Sequence, residues 1–229
     1  MTKASKKILI SGGSRGIGLA TASILAEQGH QVLVTTRRKE AFVDAKKASF
    51  HIIENELSEA DDFIKLFEEV NSVTGELDGI INNAGFLINK PFLETTDEDW
   101  LGQLNCNVMA PARIIKTLYP LLKQGSHVVN IGSMGGFQGS SKFPGLAAYS
   151  VTKGALSILS ECLSAELDRC AVNCLCLGAV QTEMLKQAFP GFNAPVLPEQ
   201  MGAFIADFCL NGQKYFNGKV LPVSLADPK

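Results

Sequence analysis

The sequence predicts an α/β fold built on a doubly wound parallel sheet. Short apolar runs rich in β-branched residues alternate with longer amphipathic stretches, a pattern typical of repeated βα units. A glycine-rich turn joins the first predicted strand to the first predicted helix. The 229 residues contain no internal repeat, linker or low-complexity segment, so we expect a single domain spanning 1–229.

The predicted elements follow one another in regular order. The first helix is expected to stop at Gly29, because glycine readily adopts the left-handed conformation that ends helices. Ser58 and Thr96 are the expected caps of the second and third helices. A proline-containing irregular segment occupies 181–198. Strands are predicted over 7–11, 31–36, 50–54, 78–82, 126–133, 171–177 and 219–223, and helices over 16–28, 58–73, 96–122, 149–168 and 199–211.

The charge balance limits the classes of partner. Lysine plus arginine total 21 and aspartate plus glutamate total 23, giving a formal net charge of −2. This balance argues against a nucleic-acid partner held by bulk charge. The basic N-terminal cluster leads into only Ile8, Leu9 and Ile10, too short a run for a signal peptide or membrane span. We therefore expect a cytoplasmic protein with no membrane partner.

The cysteines and histidines do not indicate a metal site. The six cysteines lie mostly in apolar segments, as expected of reduced, buried thiols. Cys174 and Cys176 would share one sheet face, where core packing is favoured over metal binding because no second ligand pair follows. His30, His51 and His127 each start a predicted strand. We expect them to be loop-edge residues rather than catalytic bases.

The glycine-rich turn reads S-G-G-S-R-G-I-G over 11–18. Gly12 can adopt positive φ, the absence of a Cβ at Gly16 lets the backbone approach a pyrophosphate, and Gly18 permits close helix–strand packing. The helix that follows offers free N–H groups and a positive dipole. The turn therefore predicts a dinucleotide site, although its spacing is G-x-x-x-G-x-G rather than G-x-G-x-x-G, and a merely structural turn is the alternative.

The end of the second predicted strand indicates which dinucleotide is bound. Thr36 stands where an acidic residue would bind the adenosine ribose, and Arg37 and Arg38 follow. Arginine accommodates a 2′-phosphate with its planar donor fork, and Arg15 can approach the same phosphate from the turn. These residues favour NADP(H) over NAD(H), with solvated surface cations as the alternative.

A third group of residues points to proton transfer. Tyr149 and Lys153 are four residues apart, so they share one helical face, and the ammonium is expected to lower the pKa of the phenol. Ser133 ends the fifth predicted strand at its carboxyl end, where ligands bind in open α/β sheets. Asn107 is a polar residue within a long predicted helix, and the small residues of Asn-Asn-Ala-Gly at 82–85 leave room for a flat ligand.

Together these motifs resemble those of the classical short-chain dehydrogenase/reductase family over nearly the whole chain. The motifs are those at 11–18 and 82–85, Asn107, Ser133, and Tyr-Ser-Val-Thr-Lys at 149–153. The resemblance implies a single Rossmann-type domain, with a seven-stranded parallel sheet, three helices on each side and a short substrate lid at about 181–198. It also implies a homodimer or homotetramer assembled through the helices at 96–122 and 149–168.

The resemblance further implies roles for individual residues. Tyr149 would be the proton donor or acceptor, Ser133 would polarise the substrate oxygen, Lys153 would contact the nicotinamide ribose and tune Tyr149, and Asn107 would position a relay water. The implied coenzyme-binding residues are Gly12, Ser14, Arg15, Gly16, Ile17, Gly18, Arg37, Arg38, Glu56, Leu57, Asn83, Ala84, Gly85, Tyr149, Lys153, Gly178, Val180 and Thr182.

The chain departs from the family pattern at several positions. Ser11 replaces the usual threonine but keeps the hydroxyl, Glu56 replaces an aspartate, and Leu177 replaces a proline. The glycine-containing segment between the Ser133 and Tyr149 positions is expected to be a mobile loop. The apolar candidate lid residues, which favour an apolar or moderately sized substrate, are Met184, Leu185, Phe189, Phe192 and Val196.

The predicted function is an oxidoreductase that transfers hydride between NADP(H) and a carbonyl or secondary alcohol, with no metal. The coenzyme supplies the hydride and the protein supplies placement and electrostatics. The alternative is a catalytically quiet NADP(H)-binding sensor or scaffold on the same fold, because fold alone does not prove activity. The complete set of Ser133, Tyr149 and Lys153 favours the enzyme, because a binding protein needs no activated phenol.

Overall fold

A seven-stranded parallel sheet forms the centre of the molecule. The computed structural model describes residues 4–37, 39, 50–57 and 59–225. The strand order is β3-β2-β1-β4-β5-β6-β7. Strands β2 and β3 are therefore added on one side of β1 and strands β4 to β7 on the other, which makes the boundary between β1 and β4 the topological switch point. Ligands bind at such a switch point in open α/β sheets. The strands are β1 (Lys7–Ser11), β2 (Gln31–Thr36), β3 (Phe50–Glu54), β4 (Leu77–Asn82), β5 (Leu122–Ser133), β6 (Cys170–Leu177) and β7 (Val220–Val223).

Helices cover both faces of the sheet, which confirms the doubly wound fold. Side chains alternate along each strand, so Ile8 and Ile10 pack with α1 and α7, whereas Leu9 packs with α2 and α4 on the opposite face. Two separate hydrophobic cores result. The helices are α1 (Gly16–Glu27), α2 (Ala60–Thr74), α3 (Asp97–Leu104), α4 (Ala110–Leu118), α5 (Ala147–Glu166), α6 (Glu183–Ala188) and α7 (Pro198–Asn211).

The helix predicted over 96–122 is interrupted, so that prediction was wrong in its length. A π-helical segment, Asn105–Met109, separates α3 from α4. After α4 the chain passes through a 3₁₀ turn at Tyr119–Leu121, since Pro120 has no N–H with which to continue the α-helix. Strand β5 consequently begins at Leu122 rather than at 126.

The helix ends agree largely with the expected capping residues. Gly29, directly after the end of α1, has φ +84°, and Thr96 Oγ1 accepts a hydrogen bond from the N–H of Asp99 at the start of α3. Helix α2 begins at Ala60 and uses Glu59 as its cap. The expected cap, Ser58, lies outside the described residues. None of the described helices has the length and apolar character needed to cross a membrane.

His127 is a core residue, not the loop-edge residue that was expected. It lies in β5 and is 0% exposed. Its Nδ1 lies 3.1 Å from the Cys209 carbonyl oxygen, and its Nε2 lies 2.9 Å from Asn173 Nδ2. Nδ1 therefore donates and Nε2 accepts, which is the arrangement of a neutral imidazole. Burial lowers the pKa of His127 to about 4.

Candidate active site

The glycine-rich turn packs directly against the end of β4. Gly12 has the predicted positive φ, +67°, and a Cβ on it would come within 2.8 Å of the Ala84 Cα. The Ser11 hydroxyl accepts hydrogen bonds from the N–H groups of Asn83 and Ala84, both at 3.1 Å. Ser11 thus joins the turn to the segment after β4 through the hydroxyl that the sequence retains.

The same turn leaves open backbone at the start of α1. Gly16 has φ +55°, and a Cβ placed on it would meet only Thr182, at 3.5 Å or more. Gly18, by contrast, faces the interior, where a Cβ would collide with Asn83 Nδ2 and the Gly12 carbonyl oxygen. Backbone N–H groups at a helix N-terminus beside a cleft suit a pyrophosphate. The residues of this turn therefore fit a dinucleotide.

Ser133 and Tyr149 meet at the carboxyl edge of the sheet. Ser133 is the last residue of β5, and Tyr149 lies in the first turn of α5. The loop between them approaches α5 closely, because a Cβ on Gly136 would come within 2.8 Å of the Lys153 Cβ. Burial raises the pKa of Tyr149 to about 12, while the neighbouring Ser133 hydroxyl acts to lower that pKa. The two hydroxyls therefore lie close to each other.

Lys153 lies one helical turn beyond Tyr149 and is almost completely buried. Its Nζ donates a 2.7 Å hydrogen bond to the Ile131 carbonyl oxygen and lies 5.9 Å from the centre of the Tyr149 ring. Burial lowers the pKa of Lys153. The expected lowering of the Tyr149 pKa by this ammonium is wrong, because burial of the phenol has the larger effect.

Asn107 connects the π-helical segment with the residues after β4. Its Oδ1 accepts the N–H of Phe86 at 2.8 Å, and its Nδ2 donates to the Phe86 carbonyl oxygen at 2.8 Å and to Thr152 Oγ1 at 3.0 Å. The Thr152 hydroxyl in turn donates to the Tyr149 carbonyl oxygen. Asn107, which is 0% exposed, therefore fixes the backbone of Phe86 relative to α5.

Gly85 lies between Asn107 and Lys153. A Cβ on Gly85 would be 3.6 Å from Lys153 Nζ and 3.7 Å from Asn107 Oδ1. The Asn83 side chain is already used within the protein, since its Nδ2 donates to the carbonyl oxygens of Ser11 and Gly12. Gly85 leaves a flat space beside the buried lysine, whereas Asn83 stabilises the turn.

The residues predicted at the adenosine end are more scattered. Arg15 forms an ion pair with Glu183 at 2.7 Å, Arg37 is exposed after β2, and Arg38 lies outside the described residues. Glu56 is exposed, and Leu57, which follows it, has φ +58°. The structure thus brings the glycine turn, Ser133, Tyr149 and Lys153 to one edge of the sheet. Among the described contacts, none joins Glu56 to these residues.

The segment after β6 approaches the glycine turn. Val180 is buried in the core and forms an isolated parallel bridge with Val196. Thr182 caps α6 by accepting the N–H of Leu185. Gly178 donates its N–H to the Val223 carbonyl oxygen, so β7 fixes the path after Leu177. Of the residues predicted here, Thr182 is the one whose side chain faces Gly16.

Sequence reasoning missed a buried polar chain beneath the site. Asn82 donates to Asn130 Oδ1 at 2.7 Å, and Asn130 donates to Ser160 Oγ at 2.8 Å. The signal was present, because Asn130 interrupts the apolar run of β5 and a buried amide requires partners. The Cys174 and Cys176 thiols do lie on one face, each 3.6 Å from Ser157 Oγ. Within the described ranges, no three metal-ligating side chains come together.

Comparison with known proteins places these features in a family. The family model described as "short chain dehydrogenase" matches residues 6–191, so the chain belongs to the short-chain dehydrogenase family. It is an oxidoreductase of the NAD(P)-dependent dehydrogenase/reductase class, with a Rossmann-like fold.

Individual relatives differ in substrate. The chain is 30% identical over 187 residues to a 3-oxoacyl-[acyl-carrier-protein] reductase of Rattus norvegicus, covering 79% of this chain and 78% of the relative. It is 31% identical over 175 residues to an NADP-dependent (R)-specific alcohol dehydrogenase of Lentilactobacillus kefiri, covering 73% and 67%. The L-sorbose reductase of Gluconobacter frateurii, solved with NADPH and L-sorbose, superposes with a TM-score of 0.85 at 25% identity, covering 96% of this chain and 95% of that one.

Proposed function

We propose that this protein interconverts a carbonyl compound and a secondary alcohol with NADP(H) as coenzyme. The observation that carries the proposal is the placement of Ser133, Tyr149 and the buried Lys153 together at the carboxyl edge of the sheet. Lys153 is fixed beside the two hydroxyls, and the glycine turn follows β1, which β4 separates from β5 at the same edge of the sheet. This arrangement suits transfer of a proton to or from one substrate oxygen.

The roles of the three side chains follow from their chemistry. The coenzyme, when bound, supplies a hydride to the carbonyl carbon in the reductive direction. Tyr149 gives its hydroxyl proton to the carbonyl oxygen, which leaves a phenolate on the protein. Ser133 holds that oxygen by donating a hydrogen bond, and the Lys153 ammonium stabilises the phenolate. Oxidation reverses each transfer.

The preference for NADP(H) rests on the arginines near the glycine turn. Arg15 is the residue before α1, and Arg37 follows β2, the position at which a 2′-phosphate is bound in dinucleotide folds. The NADP-dependent alcohol dehydrogenase and the NADPH-bound L-sorbose reductase to which the chain is similar support the same choice. The residues that we propose to bind the coenzyme are those of the turn, Gly12, Ser14, Arg15, Gly16, Ile17 and Gly18, with Arg37, Arg38, Glu56, Leu57, Asn83, Ala84, Gly85, Tyr149, Lys153, Gly178, Val180 and Thr182.

We propose that 1–229 is one domain and that residues 181–198 cover the substrate. Phe189, just after α6, packs edge-on against Phe143 of the loop that precedes α5, with ring centres 5.7 Å apart. Asn89 donates to the Ala188 carbonyl oxygen from the segment after β4. A separate cavity of about 640 Å³, with no residue of 181–198 in its described lining, borders the Phe143 loop. The aromatic contact of Phe189, together with the apolar character of 181–198, favours an apolar or moderately sized substrate.

We also propose that the protein forms a homodimer or homotetramer. Leu101 and Leu104 of α3 and Val151 and Ile158 of α5 are 38–60% exposed, and α3 lies against α5. Exposed apolar residues on adjoining helices are typical of an interface. A cytoplasmic location agrees with the cysteines, all six of which are free thiols.

The decisive experiment measures NADPH consumption with a panel of carbonyl compounds. We expect turnover by the unaltered protein and a loss of at least about 100-fold in Tyr149→Phe, the usual contribution of a general acid, with NADPH binding retained. Tyr215→Phe is the matched control, since Tyr215 is 80% exposed. Tight NADPH binding with no turnover on any compound, or an unaltered rate in Tyr149→Phe, would contradict the proposal and favour a sensor.

A further inference from the structure

The ion pair between Arg15 and Glu183 joins the glycine turn to α6. Arg15 Nη1 lies 2.7 Å from Glu183 Oε2. Arg15 is the residue before α1, and Glu183 is the first residue of α6. Their neighbours also meet, because a Cβ on Gly16 would be 3.5 Å from Thr182 Cγ2. The pair therefore spans the two walls of the coenzyme cleft.

The fold does not need this pair for its stability. The two side chains are 60% and 66% exposed, and exposed ion pairs contribute little to folding because water and salt screen them. Each partner is also placed by something else: α6 has Thr182 as its cap, and the turn is held by Ser11 and Asn83. Arg15 and Glu183 can thus separate and bind other partners without loss of folding stability.

We infer that Glu183 is a specificity-determining residue for coenzyme choice, because it competes with the 2′-phosphate of NADPH for Arg15. This inference rests on the proposed function, in which Arg15 binds that phosphate. The Glu183 carboxylate contacts the Arg15 guanidinium, so the 2′-phosphate of NADPH must displace it. NADH has no 2′-phosphate and gains nothing from the displacement. Glu183 therefore reduces the ratio by which the protein binds NADPH more tightly than NADH.

Because Arg37 is a second candidate partner of the 2′-phosphate, competition by Glu183 for Arg15 should weaken the preference for NADPH without abolishing it. Arg37 is exposed after β2 and forms no ion pair with another described residue. Within the described ranges, no carboxylate has to release the Arg37 guanidinium before it contacts a phosphate. The 2′-phosphate thus meets one available arginine and one that Glu183 occupies.

The test compares the dissociation constants of NADPH and NADH by titration calorimetry, without substrate. We expect Glu183→Gln to bind NADPH about two- to fivefold more tightly, the range that one exposed ion pair covers, and to bind NADH unchanged. Raised ionic strength should reduce the gain. Glu199→Gln is the matched control, because Glu199 is also an exposed acid in the first turn of a helix.

A double-mutant cycle separates competition from other causes. In an Arg15→Ala background, Glu183→Gln should change neither dissociation constant. An equal gain for NADPH in that background would mean direct repulsion of the phosphate, and equal changes for NADPH and NADH would mean altered lid packing. Either result overturns the inference, as does no change in Glu183→Gln. If the unaltered protein binds NADPH no better than NADH, the coenzyme preference in the proposed function fails instead.

Discussion

Replacing Asn107 by alanine should destabilise the protein and disturb the site together. The Asn107 side chain satisfies both the N–H and the C=O of Phe86, each at 2.8 Å. Removing it leaves these two backbone groups without partners at a position that is closed to solvent on the Asn107 side, since Asn107 is 0% exposed. Thr152 loses only one donor, because its hydroxyl still donates to the Tyr149 carbonyl oxygen.

The magnitude follows from the cost of orphaned polar groups. Each buried, unsatisfied backbone group costs about 1–3 kcal/mol. Phe86 is itself 43% exposed, so water can reach part of its backbone and the lower half of the range applies to each group. We therefore expect Asn107→Ala to lower the free energy of unfolding by about 2–4 kcal/mol. It should also lower kcat, because Gly85, the neighbour of Phe86, borders the buried lysine.

Urea unfolding followed by circular dichroism measures the first effect, and steady-state NADPH consumption the second. Asn105→Ala is the matched control, because Asn105 lies in the same π-helical segment but is exposed. Both variants gain the same helix propensity on conversion to alanine, so their difference isolates the buried hydrogen bonds. A difference below about 0.5 kcal/mol, the usual scale of surface substitutions, would refute the role assigned to Asn107.

Three further predictions concern pH, the turn and assembly. The pKa of His127 is about 4 in the folded protein against an ordinary 6.5, so the unfolded chain binds the proton first as the pH falls. The free energy of unfolding, measured by urea titration, should therefore fall by about 3 kcal/mol between pH 6.5 and 4. A pH dependence of this free energy that is unchanged in His127→Gln but lost in His51→Gln would contradict the prediction. Ser11→Ala should lower the free energy of unfolding by about 1–3 kcal/mol, because two N–H groups lose their acceptor, whereas Ser11→Thr should retain it; equal thermal denaturation of the two variants would argue against the contact. Ile158→Arg, at a side chain 60% exposed on α5, should shift the sedimentation coefficient to that of a monomer, and an unchanged oligomer would exclude this face as the interface.

The sheet was predictable because its information is local. Each strand from β1 to β4 lies within one residue of its predicted range, since alternation and apolar runs record which faces of a strand are buried. The break between α3 and α4 was not predictable in the same way. Asn107, within the break, pairs with Phe86, which is 21 positions away in sequence, and periodicity carries no information about such contacts.

The candidate site shows the same division. Tyr149 and Lys153 could be paired from their four-residue spacing alone, and Ser133 from its place at a strand end, because local geometry sets both positions. The partner of Arg15 could not be foreseen, since Glu183 lies 168 positions away. Sequence placed Arg15 near a phosphate, and the fold adds a carboxylate that contacts the same guanidinium.

The pKa of Tyr149 illustrates why charge effects are the hardest to predict from spacing. The ammonium one turn away was expected to lower that pKa, but the Lys153 Nζ is directed to the Ile131 carbonyl oxygen, and burial of the phenol raises the value to about 12. A phenol with this pKa is protonated throughout the neutral range. Under the proposed function that is the form that gives a proton to a carbonyl oxygen, so Tyr149 is already in the protonation state that reduction uses, whereas oxidation first requires the proton to leave.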